Sequence, residues 1–504
     1  MADHAFIRYE QILLDTRNRL HSLIRRGDVK PWLLWHALLP MVLPFVALLI
    51  PRRKGGWFIR PILFSATLSI IIEIILYRRA LLGANGYMVG LIMVWWLVWS
   101  STLLFFNDIE RDFRRIERIQ TIKTKSLTGQ GHGHLNGNNS KSDVVNSLVW
   151  QPYPQSFVHR LGWTAALLLN LRGPDFSFRI SSLDPLPFQL ASKQHSAASK
   201  HSYASAKAQL RAAAARFLIS YLAIDVLKLM FIRDPYFFGT LSAPAPFPFN
   251  YLSAVPCMVQ VYRFLATGMG VYFALQFVTP LNPLFFLGLS TAFPNAIRAF
   301  TATPLDATWL YADQFGPIIA ILDSGLAGAW STWWHQMFRF GFVSTAKWIM
   351  SFLPHAISSR RTIRRVIITV VAFGISGLMH ASGSYTQLGD TWPIGPFLFF
   401  ILQAAGVFIQ DTCSRILVPV LTTQGISPAC WLRRLGNGIF AVGWLLLTAS
   451  FIADDFAKGG LWLTEPLPVS PIRGLMGRGW LCWRTAWFEY YDDGTFWGSG
   501  IRII

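Results

Sequence analysis

Charge is scarce in this chain. Asp, Glu, Lys and Arg supply only 14% of its 504 residues, against about 25% in an ordinary soluble domain. A length that would otherwise suggest about three soluble domains is therefore not read that way. Acid is scarcer still: 25 Asp and Glu face 45 Lys and Arg, a formal net charge of +20. Nucleic-acid binding is one reading of such an excess. Here the positives lie largely between apolar runs, the positive-inside pattern of a membrane protein, so no nucleic-acid partner is expected. Cysteine is nearly absent. Cys257, Cys413, Cys430 and Cys482 are widely spaced and form no CxxC. A disulfide framework and a zinc site are both unsupported, and free thiols buried near apolar runs are the default. No cleavable signal peptide is expected at the start either: the first 30 residues are charged throughout, and the first apolar run begins only at Pro31.

What is present is apolar and aromatic. Hydrophobic residues make up 53% of the chain, with 21 Trp and 39 Phe, and the mean hydropathy is +0.39. The sequence divides into runs of the length that crosses a bilayer, roughly 20 residues. They fall at 32–50, 61–77, 87–106, 216–232, 255–279, 281–300 (spanning or re-entrant), 341–353, 366–380, 394–409 and 436–452. These runs predict an all-α, multi-pass transmembrane helical bundle of about eight to ten spans. Around them lie a polar N-terminal segment (1–31), a basic region (107–215) with a Gly/Asn-rich linker (127–146), and a C-terminal tail (454–504). The membrane spans divide into an N-terminal group (32–106) and a candidate catalytic domain (216–453). The basic stretches "PRRKGGWFIR", "RDFRRIERIQTIKTK" and "SSRRTIRR" are expected on the cytosolic side.

Single polar residues in this setting carry weight. Glu73, inside "SIIIEIILY", is expected to be held in a structural pair. Asp454 and Asp455, beyond the last run, read as solvated charges. "DPYFF" at Asp234 to Phe238 should end a helix, because proline disfavours a helical residue before it. His132 and His134 in "GHGHLNG" are only two candidate ligands in a low-complexity tract, so no metal site is expected.

Two histidines point to chemistry. In "GISGLMHASGS" (Gly374 to Ser384), His380 lies fifteen residues past Arg365. At 1.5 Å per residue that is roughly 22 Å along a helix. His380 would thus lie deep in a hydrocarbon core of about 30 Å, where an ionisable group is a functional hypothesis. The small residues around it, Ser376, Gly377, Ala381, Ser382 and Gly383, allow close approach of helices or substrate. The second, His335, sits in "AWSTWWHQMFRF" (Ala329 to Phe340). Alone, that stretch reads equally as an interfacial aromatic anchor.

Together they resemble the wax-synthase-like branch of the membrane-bound O-acyltransferases. Trp334, His335 and Gln336, with Trp330 before them, match the Trp–His–Gln end of a "FWGRRWHQ" signature, while Ala329, Ser331, Thr332 and Trp333 depart from the rest of it. "SGLMH" (Ser376 to His380) resembles the family's histidine helix. "NLRGPDF" (Asn170 to Phe176) and "YLAIDVLKLMFIRDPYFF" (Tyr221 to Phe238) resemble elements of fungal members that acetylate terpenoid and meroterpenoid natural products. The resemblance implies acetyl transfer from acetyl-CoA, as co-substrate rather than cofactor, to a hydroxyl of an apolar terpenoid acceptor. The enzyme would be embedded in lipid, in the endoplasmic reticulum. It implies His380 as the base and His335 as its partner. Trp334, Gln336, Arg339, Arg172 and Asp234 become the substrate-binding candidates, and Arg361, Arg364 and Arg365 are further cations for the CoA phosphates.

The chemistry agrees with the residue types. An alcohol is a weak nucleophile near neutral pH, and imidazole, with an unperturbed pKa of about 6.5, suits removal of its proton. The thioester is already activated, so no covalent enzyme intermediate is needed, but the developing oxyanion requires a donor. Two alternatives stand beside this. One is a long-chain acyltransferase making wax or sterol esters. The other is a transporter, which would call for matching halves with paired broken helices; the polar region 107–215 has no counterpart elsewhere in the chain.

Overall fold

A computed structural model describes residues 2–123, 143–187, 190, 205–423, 429–483 and 486–504. Most of the 127–146 linker, with His132 and His134, lies outside the described residues. The described chain divides into two compact units.

The first unit comprises Met1–Asp108, Ala215–Thr279 and Asp313–Ile504. It is all-α apart from one small sheet. The chain is a multi-pass membrane protein: among the described residues five helices are long and apolar enough to cross a bilayer. They are Gly56–Tyr77, Tyr87–Phe106, Pro256–Ala292, Arg361–Thr386 and Ile394–Ile416. A sixth is possible in Cys430–Thr448 and Ser450–Lys458, which meet at a 42° bend. This is fewer than the eight to ten expected, for local reasons. The first run forms Leu34–Leu49, only 16 residues and holding Pro40 and Pro44. The run at 341–353 is the 13-residue helix Arg339–Ser351. The run at 216–232 belongs to Ala206–Arg233, which carries Arg211, Arg216, Asp225 and Lys228.

The bend at Ala449 also corrects the reading of Asp454 and Asp455. They are not solvated. In the short helix Ser450–Lys458 beyond the bend, Asp455 is 4% exposed and Asp454 accepts a 2.6 Å bond from the Tyr236 hydroxyl. Tyr87, Phe231, Tyr236, Phe237, Phe456 and Trp462 form the core there. Glu73 is paired as expected, with Arg78 at 2.7 Å and Lys30 at 3.6 Å. The helix Ala206–Arg233 stops before Pro235, where Asp234 caps the single turn Pro235–Phe238. The cysteines are free, but Cys257, Cys413 and Cys430 are exposed rather than buried, lying on outward helix faces.

The sheet has the order Arg78–Arg79, Lys30–Leu33, Gly500–Ile503, Phe488–Tyr491. Hydropathy gives no hint of it, because its strands are at most four residues long. Nearby, the N-terminal helix Ala2–Arg26 docks through Tyr9, whose hydroxyl reaches the Leu463 carbonyl (2.9 Å) and Glu465 (2.7 Å).

The second unit, Ile109–Ala214 with Pro280–Ala312, is built on the antiparallel hairpin Arg114–Lys123 and Asp143–Pro152. Ile116 faces its core with Trp309. Two arginines of the basic stretch are engaged by acids: Arg115 with Asp175 at 2.9 Å and Arg118 with Asp306 at 2.5 Å. Burial pushes the Asp306 carboxyl up, but its bonds to Arg118 and Arg298 outweigh that and hold it below the usual range.

Candidate active site

The helix that carries His335 toward its position is broken. Ile319–Gly328 contains Gly325 at φ 60°, ψ −139°, outside any helical conformation. Such a backbone favours glycine, and an added Cβ would run into the side-chain amide of Gln410. That amide repairs the break. Gln410 Oε1 accepts from the Leu326 N–H (2.8 Å), and its Nε2 donates to Asn437 Oδ1 (3.0 Å). Asn437 in turn donates to the Leu322 carbonyl (3.0 Å). Buried backbone groups freed by such a break require partners.

The chain then makes a π turn, Ala329–Trp333, and leaves it extended at Trp334 (φ −65°, ψ 150°). Gln336, 8% exposed, closes this turn from inside. Its Nε2 donates to the carbonyls of Trp330 (2.9 Å) and Trp334 (2.7 Å). Arg339 Nη1 donates to Gln336 Oε1 and to the Ser331 carbonyl, both at 3.0 Å. Gln336 is thus committed to the loop. Arg339 keeps donors beyond it, and burial alone pulls its guanidinium below the ordinary value, with no acid offsetting the effect.

His335 leaves this loop half-exposed. Phe315 and Phe338 stand edge-on to its ring at 6.1 and 5.7 Å, and Trp334 is at 5.4 Å. Phe338 packs on Trp95 of the Tyr87–Ser101 helix at 4.4 Å.

His380 lies in the helix Arg361–Thr386, also half-exposed. Its Nδ1 is 2.7 Å from the Ser376 carbonyl. A carbonyl only accepts, so Nδ1 carries the proton, and in the neutral ring Nε2 holds the lone pair. The ring lies 4.2 Å from Phe400 and 6.3 Å from Tyr87. The small residues around it serve helix contacts: Gly377 abuts Phe397, and Gly383 abuts Tyr87.

One aromatic wall links the two histidines. From His380 it runs to Phe400 (4.2 Å), then Trp330 (6.0 Å), Trp334 (5.9 Å) and His335 (5.4 Å). The Trp330 indole N–H in this wall is buried without a partner among the described residues.

The other sequence candidates lie elsewhere. Asp234 is fully buried, and both its oxygens accept from Arg263 at 3.0 Å, so any influence on a substrate would pass through that guanidinium. Arg172 belongs to the second unit, where it donates to the Ala312 carbonyl at 3.1 Å. Arg361, Arg364 and Arg365 are exposed at the start of the His380 helix. The residues missed were Tyr87, Phe400 and Gln410. Gln410 had a signal: with Gln403 it places two amides seven residues apart along an apolar run, and intramembrane polar groups ask for an explanation. Among the described residues no three His, Cys, Asp or Glu side chains gather as metal ligands would.

Comparison with known proteins falls on this region. Residues 311–402 match the Membrane bound O-acyl transferase family, a stretch that contains both histidines, Gln336 and Phe400. The chain is 27% identical over 298 residues to the O-Mevalon transferase yanI of Aspergillus niger, covering 56% of this chain and 59% of that protein. It is 28% identical over 153 residues to the Acetyltransferase eriL of Hericium erinaceus (30% and 38%). It is 24% identical over 204 residues to the O-Mevalon transferase macI of Penicillium terrestre (38% and 44%). The chain therefore spans less than two thirds of the length of the curated relatives it matches. No solved structure matches it.

Proposed function

With the segment that holds both histidines matching a family of membrane O-acyltransferases, we propose that this chain is an O-acyltransferase. It moves an acetyl group from acetyl-CoA to a hydroxyl of an apolar terpenoid or meroterpenoid in secondary metabolism, in the endoplasmic reticulum membrane. The observation that carries the reading is the Nδ1 bond of His380 to Ser376, which leaves Nε2 as the basic nitrogen. Nε2 removes the acceptor's hydroxyl proton as the oxygen attacks the thioester carbonyl. The tetrahedral intermediate collapses by breaking the C–S bond, and the proton on Nε2 passes to the departing CoA thiolate. His335 and the Trp330 indole N–H are the candidate donors to the developing oxyanion. Arg339, a half-buried cation without an acidic partner among the described residues, suits a CoA phosphate. Gln336 and Trp334 hold this arm in place.

The test is labelled acetyl-CoA with apolar alcohols and microsomes expressing the wild type or His380→Ala. Loss of transfer by at least about 100-fold is expected for removal of a general base, at equal expression by immunoblot. Undiminished transfer by His380→Ala would sink the assignment. A donor panel from acetyl-CoA to palmitoyl-CoA, with a donor carrying a mevalonic acyl group, fixes the acyl chain; two of the relatives are named as O-mevalon transferases. CoA-dependent product formed by purified protein separates this reading from a transporter.

A further inference from the structure

One helical turn beyond His380 the first unit holds a polar cluster that the acyl-transfer chemistry does not use. Asp455 is 4% exposed. Its Oδ1 accepts from the Ser384 hydroxyl (3.0 Å) and the Trp392 N–H (2.7 Å), which fixes the carboxyl. Its Oδ2 is buried with no partner among the described residues. Ser384 is four residues past His380, about 6 Å along the helix. Facing the same stretch is Tyr87, also 4% exposed, whose hydroxyl is likewise buried with no partner among the described residues. Its ring lies 6.3 Å from that of His380 and 5.1 Å from Phe456, the neighbour of Asp455. Thr386 clamps this geometry by accepting from the Gly90 N–H (3.0 Å) and donating to the Gly86 carbonyl (2.9 Å). Two buried polar atoms from separate helices are thus left unsatisfied beside the candidate base. Each such atom costs free energy unless something supplies its partner.

We propose that Tyr87 and Asp455 form a second polar subsite that takes a hydroxyl of the acceptor other than the one acylated. The inference rests on the reading of His380 as the base. The chemistry selects the group. A hydroxyl accepts from the Tyr87 O–H and donates to the Asp455 carboxylate, satisfying both. A carbonyl has no proton for the carboxylate, and an ammonium has no lone pair for the phenol. The acceptor is therefore an apolar diol or polyol, held by one oxygen while another reacts. The subsite sets which hydroxyl is presented to His380.

The full chain, purified in detergent, is titrated with drimenol (one hydroxyl) and with drimane-8,11-diol (two), and binding is read from tryptophan fluorescence. A site built to hydrogen-bond a hydroxyl should favour the diol by at least about tenfold in wild type. Tyr87→Phe and Asp455→Asn, both conservative in shape, should each abolish most of that preference and leave drimenol affinity within about twofold. His380→Gln should keep the diol preference while losing acetyl transfer. Retention of both in His380→Gln would defeat the catalytic reading and leave the subsite standing. The subsite is overturned if wild type shows no diol preference. It is equally overturned if the two variants keep that preference, as they would if a fixed water joined Tyr87 to Asp455.

Discussion

Arg339 and Asp234 show how differently two charged candidates are held. Arg339 uses one nitrogen to brace the turn before His335 and has no acid beside it among the described residues. Arg339→Ala should raise the KM for acyl-CoA by roughly tenfold, the worth of one charge-assisted bond, and Arg339→Lys should restore only part, because an ammonium lacks the planar fork. Steady-state kinetics against donor concentration checks this; a fall in kcat at constant KM would instead assign Arg339 to holding the loop. Asp234 is the opposite case, a buried carboxylate saturated by the equally buried Arg263. Asp234→Ala leaves that guanidinium uncompensated and should destabilise the fold by about 3–5 kcal/mol. The expected signature in detergent is a lowered melting temperature together with loss of activity. Both residues look alike in the sequence as charges near apolar runs. His380 was more legible as a candidate, because its offset from Arg365 and the apolar run before it put it on a helix long enough to cross, without knowledge of any neighbour.

The element that places His335 is the break at Gly325, repaired by Gln410 and Asn437 from two other helices. Gln410→Leu removes the acceptor of the Leu326 N–H and should cost about 1–3 kcal/mol, the penalty for a buried donor left unpaired. Gly325→Ala should be at least as damaging, since it strains φ and drives a methyl into the Gln410 amide. Thermal unfolding in detergent measures both, with acyl transfer expected to fall in step as the loop loosens. An unchanged melting temperature for both would remove the break from the account of the site. This element was not legible. The signature stretch "TWWHQ" marks where the histidine is, but its orientation depends on a side chain 85 positions beyond Gly325 in the chain. The same reason explains Asp454 and Asp455. Their position after an apolar run suggested solvent, whereas the Ser450–Lys458 helix packs against the Ile394–Thr423 helix and buries Asp455.

At the scale of the first unit, residues far apart in the chain are tied through one buried acid. Glu465 accepts from Tyr9 of the N-terminal helix (2.7 Å) and from Arg473 through both oxygens (2.9 and 2.8 Å). Burial pushes the Glu465 carboxyl up, but the charges of Lys228 and Arg473 and the bonds from Arg473 and Tyr9 outweigh it, so its pKa lies below the ordinary 4.5. An acid whose folded pKa is depressed contributes stability that is complete above its unfolded pKa and is lost as pH falls through the folded value. Wild type should therefore lose thermal stability on acidification below pH 4.5. Glu465→Gln should start lower and show a flatter acid limb. Equal slopes for the two proteins in detergent melts would exclude this contribution.

The sequence by itself determined the class of the protein, a multi-pass membrane chain, and singled out two histidines as candidates. Scarcity of charge, apolar runs and the position of a lone imidazole are local properties, and hydrophobic burial in a bilayer acts on each run independently. Only the tertiary structure decided which runs are long enough to cross, where the helix before His335 breaks, which ring nitrogen of His380 holds the lone pair, and that the Tyr87 hydroxyl and one Asp455 oxygen are buried without partners among the described residues. Those outcomes depend on hydrogen bonds and close contacts between segments distant in the chain. No local pattern encodes such contacts until the helices are packed.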